Sequence, residues 1–441
     1  VAVVAATVVV VAAAIAAVAD AVTADTISMT MSDPADRRIT VLDSGLTVVT
    51  EHVPATRSVA AGVWVGVGSR DEQASESGVS HFLEHLLFKG TDRRSAQDIA
   101  RAVDRCGGDI NAFTTKEYTA YYCRLPARDA AMGIELLGDV LTAPALRPGD
   151  VDVERQVILE EISMDDDSPD EVAHRTFFER VFHDHPIGRD TAGDPDTVSA
   201  LDAAGVRRFF EQHYRAGSMV VSLAGPVGHD ELLERVAEAF AGVRTGRSDA
   251  VRSAPGDMAA GEHLDDDTEQ VHLVLGGRAI PRDHPDREAL DVVNHVLGGG
   301  LSSRLFEEIR ERRGLVYSVW SSVGLYADCG AWSIGAGAQP KHVAEVLRLV
   351  DAELASLVAD GLTDAELDLG RHAVAGSFEL GLEDTGSRMA RNAGLLTSRG
   401  EIAEIGDQVA KWLAVDHDAT RRAIARVYAG DCVRVTVGPD V

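Results

Sequence analysis

The chain has 441 residues, 45% of them apolar and 26% charged, which is too long for one ordinary core and too apolar for a disordered chain. Forty-two Lys and Arg stand against seventy-one Asp and Glu, a formal net charge of −29. Such a surface repels phosphate backbones and anionic lipid, so neither a nucleic-acid nor a membrane partner is expected; it either draws cationic peptides or keeps the chain soluble.

Val1 to Ala19 is uncharged and almost entirely Val and Ala, long enough to span a membrane, and Ala17-Val18-Ala19 resembles a signal cleavage site. No Lys or Arg precedes the run, and Leu and Phe are absent from it, so export is weakly driven. Met29 and Met31 stand just before the first patterned strand. The expectation is that Val1 to Ser28 lies ahead of the natural start, which makes the protein cytoplasmic; translation of that stretch would make it exported or membrane-tethered. Residues 1–38 are set apart as an N-terminal extension.

Ile39 to Glu51 alternates around Asp43-Ser44-Gly45, the pattern of a hairpin, and Ser58 to Gly68 is a third strand. Gly78 to Phe88 is helical and stopped by Lys89-Gly90, and another helix ends at Gly107-Gly108. Asp109 to Phe113 and Tyr118 to Leu125 form a strand pair rich in Tyr and Thr. Helical patterns cover Ala127 to Ala143, Val151 to Met164, Glu171 to Phe182 and Val198 to Gln212. Strand Met219 to Gly225 and helix His229 to Phe240 follow. From Arg244 to Glu262 the pattern lapses into Gly, Ser, Asp, Pro and Ala, a linker.

Beyond the linker the order repeats. Strand Gln270 to Leu275, helix Asp286 to Leu297 and strands Val316 to Tyr326 and Ala331 to Gly337 come first. Helices Lys341 to Asp360, Asp364 to Leu380, Thr385 to Arg399 and Ala419 to Tyr428 precede a last strand, Cys432 to Val437. Two halves of like length and order predict an α+β fold of two homologous sheet-plus-helices domains, 39–243 and 263–441, closing as a clam-like chamber. Each half is expected to bury one sheet face under its helices, with the groove between them as the substrate site.

His81-Phe82-Leu83-Glu84-His85 falls inside a predicted helix, where residues four apart share a face, so both imidazoles can reach one metal ion. Glu84 is displaced only modestly around that face, so it can accept a proton from an activated water without ligating the metal. The alternative is a surface helix with two incidental histidines. A catalytic zinc needs a third protein ligand. The acidic string Glu154-Arg155-Gln156-Val157-Ile158-Leu159-Glu160-Glu161 offers candidates, and spacing alone does not choose between Glu160 and Glu161. The four cysteines Cys106, Cys123, Cys329 and Cys432 form no CxxC pair and suggest neither a zinc knuckle nor a redox motif.

Gly66-Val67-Gly68-Ser69-Arg70 and the block from Gly78 to Thr91 around the histidines resemble the pitrilysin-type (inverzincin) zinc metallopeptidases. The branch is that of the mitochondrial processing peptidase β-subunit and its bacterial relatives, and the likeness runs from about Ile39 to Val437. It implies one Zn2+ per chain on His81, His85 and Glu161, since the family's third ligand closes an E-R-x-V-I-x-x-E string 76 residues beyond the second His. It also implies Glu84 as general base and Glu154 as a supporting carboxylate. Asn111-Ala112-Phe113-Thr114 resembles the family's edge strand, which takes a peptide as an added strand; the plainer reading is sheet sequence with Phe113 in the core. Arg310 and Tyr317 match a family pair that reaches toward the substrate carbonyl.

Leu297-Gly298-Gly299-Gly300 precedes a helix but lacks a Walker lysine and GxGxxG spacing, so a nucleotide site is not expected. His183-Asp184-His185-Pro186 reads as a structural turn. His295 occupies the duplicated position of the metal helix with neither a second His nor a Glu. The expected activity is hydrolysis of peptides or unfolded segments by a zinc endopeptidase, as a homodimer or heterodimer. The alternative is a catalytically silent structural or peptide-binding subunit of the same fold.

Overall fold

A computed structural model describes residues 36–440, and the expectations for Val1 to Ser28 lie outside them. Among the described residues no helix is long and apolar enough to cross a membrane. The first sheet holds β1 (Asp36–Val41), β2 (Thr47–His52), β3 (Ser58–Val65), β4 (Asp109–Thr114), β5 (Thr119–Pro126) and β6 (Met219–Gly225), in the order β1-β2-β6-β3-β5-β4. The second holds β7 (Glu262–Asp265), β8 (Val271–Ala279), β9 (Val316–Leu325), β10 (Gly330–Ala338) and β11 (Val433–Gly438), in the order β7-β11-β8-β10-β9. With β1 set aside, the two sheets follow the same permutation. In each, the first and last strands in chain order pair in parallel while the other pairs are antiparallel.

The helices of the first half are α1 (Val79–Leu87), α2 (Ala96–Cys106), α3 (Ala130–Thr142), α4 (Pro148–Asp166), α5 (Pro169–Val181), α6 (Pro195–Ala200), α7 (Ala203–His213) and α8 (His229–Ala239). Those of the second are α9 (Arg287–Asn294), α10 (Val343–Asp360), α11 (Asp364–Gly381), α12 (Thr385–Arg399), α13 (Ile405–Leu413) and α14 (His417–Val427). Val63 and Val65 of β3 share one core with Phe82 and Leu86 of α1 and with Leu137 and Val140 of α3. Leu273 and Leu275 of β8 share another with Val292 of α9, Val346 of α10 and Ile424 of α14.

The second face of each sheet is also covered, and the cover comes from the other half. Met389 and Ala393 of α12 pack on Val49, Ala60, Trp64, Ala120, Val220 and Ala224 of the first sheet. A Cβ at Gly62 would lie 2.6 Å from Trp64 Cζ3 and 2.7 Å from Met389 Sδ, so any side chain there would crowd this contact. Reciprocally, Ala173, Phe177 and Val181 of α5 pack on Val274, Ala331, Val433 and Val435 of the second sheet. Each half thus buries one sheet face under its own helices, as expected, and the other face is covered as well. Buried strands read as near-continuous apolar runs, and β3 and β6, buried through almost their whole length, carry such runs.

Other elements also differ from the sequence reading. The single helix expected over Val198 to Gln212 is two, α6 and α7, because the Asp202 side chain accepts from Gly205 N and starts a new helix. Glu262, expected to close the linker, opens β7 beside β11. The unforeseen α13 is anchored by Trp412, whose Nε1 donates to Asp291 Oδ2 at 3.0 Å. The glycine run at 298–300 closes a π-helical turn at His295–Gly299 and precedes another at Phe306–Glu311 rather than a regular helix.

Candidate metal centre

Helix α1 buries Val79, Phe82, Leu83, Leu86 and Leu87 and turns His81, Glu84 and His85, all partly exposed, to its opposite side. Its start is fixed by two features. Gly78 has φ +91°, and a Cβ there would lie 2.4 Å from Ala192 O, so only glycine fits. With no side chain at that position to cap the helix, Glu72 takes over: Oε2 accepts from Gly78 N at 2.8 Å and Oε1 from Ser80 N at 2.7 Å. A carboxylate at a helix N-terminus also faces the positive end of the dipole. Burial pushes the Glu72 carboxyl up to about 7, against the downward pull of those two N–H bonds and of Arg189.

Helix α4 lies against α1 and buries Val151, Glu154, Ile158 and Ile162. Glu154, only 2% exposed, is the polar member of that stripe. Its Oε2 lies 3.2 Å from His85 Nδ1, and its Oε1 lies 2.6 Å from Lys89 Nζ. A carboxylate on Nδ1 holds that nitrogen as the donor and leaves Nε2 with its lone pair. One turn pair further on, Glu161 Oε2 lies 3.5 Å from His85 Nε2 and 3.9 Å from His81 Nε2.

His81, His85 and Glu161 each offer one donor atom, and these lie within 4.8 Å of one another. Ligands at tetrahedral zinc stand roughly 3.4 Å apart, given bonds of about 2.0–2.1 Å. Two imidazole nitrogens and one carboxylate oxygen are therefore a fitting set in chemistry and in spacing. Burial first, then the neighbouring His85, holds the His81 imidazole down to about 4, with Asp190 opposing, so near neutral pH the ring keeps the lone pair a metal would take. Glu160, next along the helix, is exposed and is not one of the converging donors.

Glu84 stands beside this set. Thr114 Oγ1 donates to Glu84 Oε2 at 2.6 Å, and burial raises the carboxyl while that bond and His85 lower it. Thr114 ends β4, which is the free edge of the first sheet and lies against α1. Thr115 N donates to Tyr118 O, so by alternation the backbone groups of Ile110, Ala112 and Thr114 point away from β5. Ala112 N is met by the Asn111 side chain at 2.8 Å. Phe113 is 36% exposed, not in the core as expected, and touches Trp64, Tyr118 and Tyr122 edge-on. Its position in the strand turns it to the sheet face opposite Ala112.

Arg310 and Tyr317 are not joined to these residues by any hydrogen bond or ion pair among the described residues. Arg310 pairs with Glu311 and lies over the Phe306 ring, while Tyr317, on the edge strand β9, is 85% exposed. His185 is a turn residue, as its sequence suggests, accepting from Ile187 N and meeting Ser253 O at 2.8 Å. Sequence reasoning missed Glu72. Its one signal was an acidic side chain shortly before a helix whose N-cap is a glycine.

Known proteins share this architecture. Residues 47–195 match the insulinase (peptidase family M16) model, and residues 200–374 match the model described as the peptidase M16 inactive domain. An uncharacterized zinc protease of Mycobacterium leprae (strain TN) is 45% identical over 80% of this chain and 80% of its own length. One of Streptomyces coelicolor is 43% identical over 89% of this chain and 87% of its own. A crystal structure of a protease from Helicobacter pylori superposes with a TM-score of 0.85 at 25% identity, covering 92% of this chain and 100% of that one. A Pseudomonas fluorescens structure described as a peptidase M16 inactive domain gives a TM-score of 0.86 at 21% identity, covering 92% and 98%. This chain belongs to the insulinase family, peptidase family M16.

Proposed function

We propose that this chain is a zinc-dependent endopeptidase acting on peptides or unfolded segments, with one zinc held by His81, His85 and Glu161. The observation that carries the reading is the convergence of those three donors on one side of α1, beside a carboxylate that is not among them. The zinc protease names of its relatives support it. A bound zinc ion supplies Lewis acidity, which polarises a carbonyl and makes water acidic enough to react near neutral pH.

The chain's own residues do the rest. Glu84 accepts the proton of the attacking water and returns it to the leaving amine. Glu154 orients His85 through Nδ1 and is itself neutralised by Lys89. The outward backbone groups of β4, with Asn111 to Thr114, pair with an extended substrate, displacing the Asn111 carboxamide from Ala112 N. Such pairing reads backbone, which suits a processing enzyme of varied substrates, as in the mitochondrial processing peptidase β-subunit branch. Arg310 and Tyr317 take part as donors to the substrate carbonyl, the halves 39–243 and 263–441 share the site, and assembly is as a homodimer or heterodimer.

The deciding experiment is Glu84→Gln. Zinc content should stay near one per chain while peptide hydrolysis is lost, because no group remains to accept the proton. Robust hydrolysis by that variant would remove Glu84 from the mechanism. A wild-type chain that holds zinc and binds peptide without cleaving it would establish the silent peptide-binding subunit instead.

A further inference from the structure

Glu84 has two carboxylate oxygens, and a base that takes one proton needs only one of them. The other, Oε2, is occupied by the Thr114 hydroxyl at 2.6 Å. The terminal torsion of a Glu side chain is broad, so the plane of a free carboxylate is poorly defined. A short hydroxyl bond to one oxygen fixes that plane and assigns the proton to the other.

The turn that follows Thr114 is anchored partly from the opposite half of the molecule. Thr114 leads into this turn, Thr115 to Tyr118, which connects β4 to β5 and presents Glu117. Glu117 is 6% exposed and accepts from Arg70 Nη1 at 2.6 Å, Arg282 Nη1 at 2.8 Å and Ala327 N at 3.0 Å. Arg282 and Ala327 belong to the second half. Arg70 also donates to both oxygens of Asp328, at 3.0 Å each. Against burial, the Ala327 N–H first and then the Arg282, Arg252 and Arg70 guanidiniums hold the Glu117 carboxyl below the usual range, so it stays an acceptor. Breaking one arm of such a buried network leaves charge unpaired, which makes the turn a fixed support rather than a loose hairpin.

We propose that Thr114 is a positioning residue for Glu84, and that the second half sets its place through the Glu117 anchor of the β4–β5 turn. This rests on Glu84 being the base. It gives the second half a part in catalysis even where none of its residues touches the substrate. It also assigns the Thr114 side chain a task separate from substrate pairing, which uses the backbone of β4.

The test is a set of variants assayed on one peptide with zinc measured in parallel. Thr114→Val keeps the branched shape and the strand preference and removes only the hydroxyl. It should lower kcat by roughly tenfold to a hundredfold, the upper figure being what a misplacement of about 1 Å can cost, with KM and zinc content unchanged. Thr114→Ser restores the hydroxyl and should recover most of the loss. Glu117→Gln should lower kcat in the same direction, and the double variant Glu117→Gln/Thr114→Val should be no slower than Thr114→Val, since both act on one route.

Wild-type kcat in Thr114→Val, a rise in KM alone, or loss of zinc overturns the positioning role. Multiplying losses in the double variant overturn the route through Glu117. Should Thr114→Val fail to fold by thermal melting, Thr114→Ala against Thr114→Ser reads the same contrast. Glu84→Gln runs beside them. If it still hydrolyses peptide, the base assignment has failed; if it is inactive while Thr114→Val is normal, only the present inference has.

Discussion

Glu160 and Glu161 are adjacent on α4, and a helix step of about a hundred degrees decides between them. Glu161 faces the imidazoles and Glu160 faces solvent. Glu161→Gln should therefore weaken zinc retention far more than Glu160→Gln, as metal analysis after dialysis against a mild chelator will show; equal zinc in the two variants would contradict the ligand set. Glu72 permits a sharper stability test. Its two oxygens each accept an N–H, and a carboxamide can accept only at one, so Glu72→Gln leaves a buried donor facing a donor. A loss of about 1–3 kcal/mol is expected, visible as a lower denaturant midpoint with an unchanged slope. At this scale the histidine pair was legible because His81 and His85 sit four apart on one helix, whereas Glu161 came from the family resemblance and not from spacing. Glu72 and the Thr114 bond were not legible, since their partners are set by tertiary packing.

Among the elements, those with a strong period or a clear stop were legible: helix α1, the β4–β5 pair and the repeated strand order. The short β7 carries no apolar alternation and exists only because β11 offers it an edge. Helix α12 was placed correctly in sequence, but its role was not readable, because an amphipathic stripe does not say which sheet it will cover. The structure shows it clamped on the first sheet. Arg388 Nη1 and Asn392 Nδ2 reach the two oxygens of the buried Glu51 at 2.5 and 2.6 Å, and Ser222 Oγ donates to Met389 O at 2.8 Å. Met389→Ala should destabilise the whole chain by about 2–5 kcal/mol, although Met389 belongs to the other half from the sheet it covers. A separate test concerns β9, which holds in its sheet the edge place that β4 holds in the first. Tyr317→Phe removes one exposed hydroxyl; a fall in kcat of roughly a hundredfold with zinc unchanged is the outcome expected of an oxyanion donor. An unchanged kcat would leave Tyr317 as surface only.

For the whole molecule, the exchange of α5 and α12 changes what a fragment experiment should give. Two clam halves that met only at a groove could be separated at the linker, and the first would fold alone. In this chain, a fragment ending near Arg244 leaves Val49, Ala60, Trp64, Ala120, Val220 and Ala224 without the α12 cover. It also leaves Ala173, Phe177 and Val181 of α5 without the second sheet. Exposed contiguous apolar surface of that kind promotes association. The Arg70–Glu117 network would lose Arg282, Ala327 N and Asp328 at the same cut, leaving a buried arginine with fewer partners. The fragment alone should therefore aggregate or melt without a cooperative transition, and should not cleave peptide. Co-expression with residues 245–441 should restore a soluble complex, zinc binding and part of the activity, since the two covers are supplied in trans. Size-exclusion chromatography and thermal melting of each fragment, alone and together, read the outcome. A first half that is monomeric, cooperative and fully active by itself would show that the crossed helices are decoration and that the second half contributes nothing to the site.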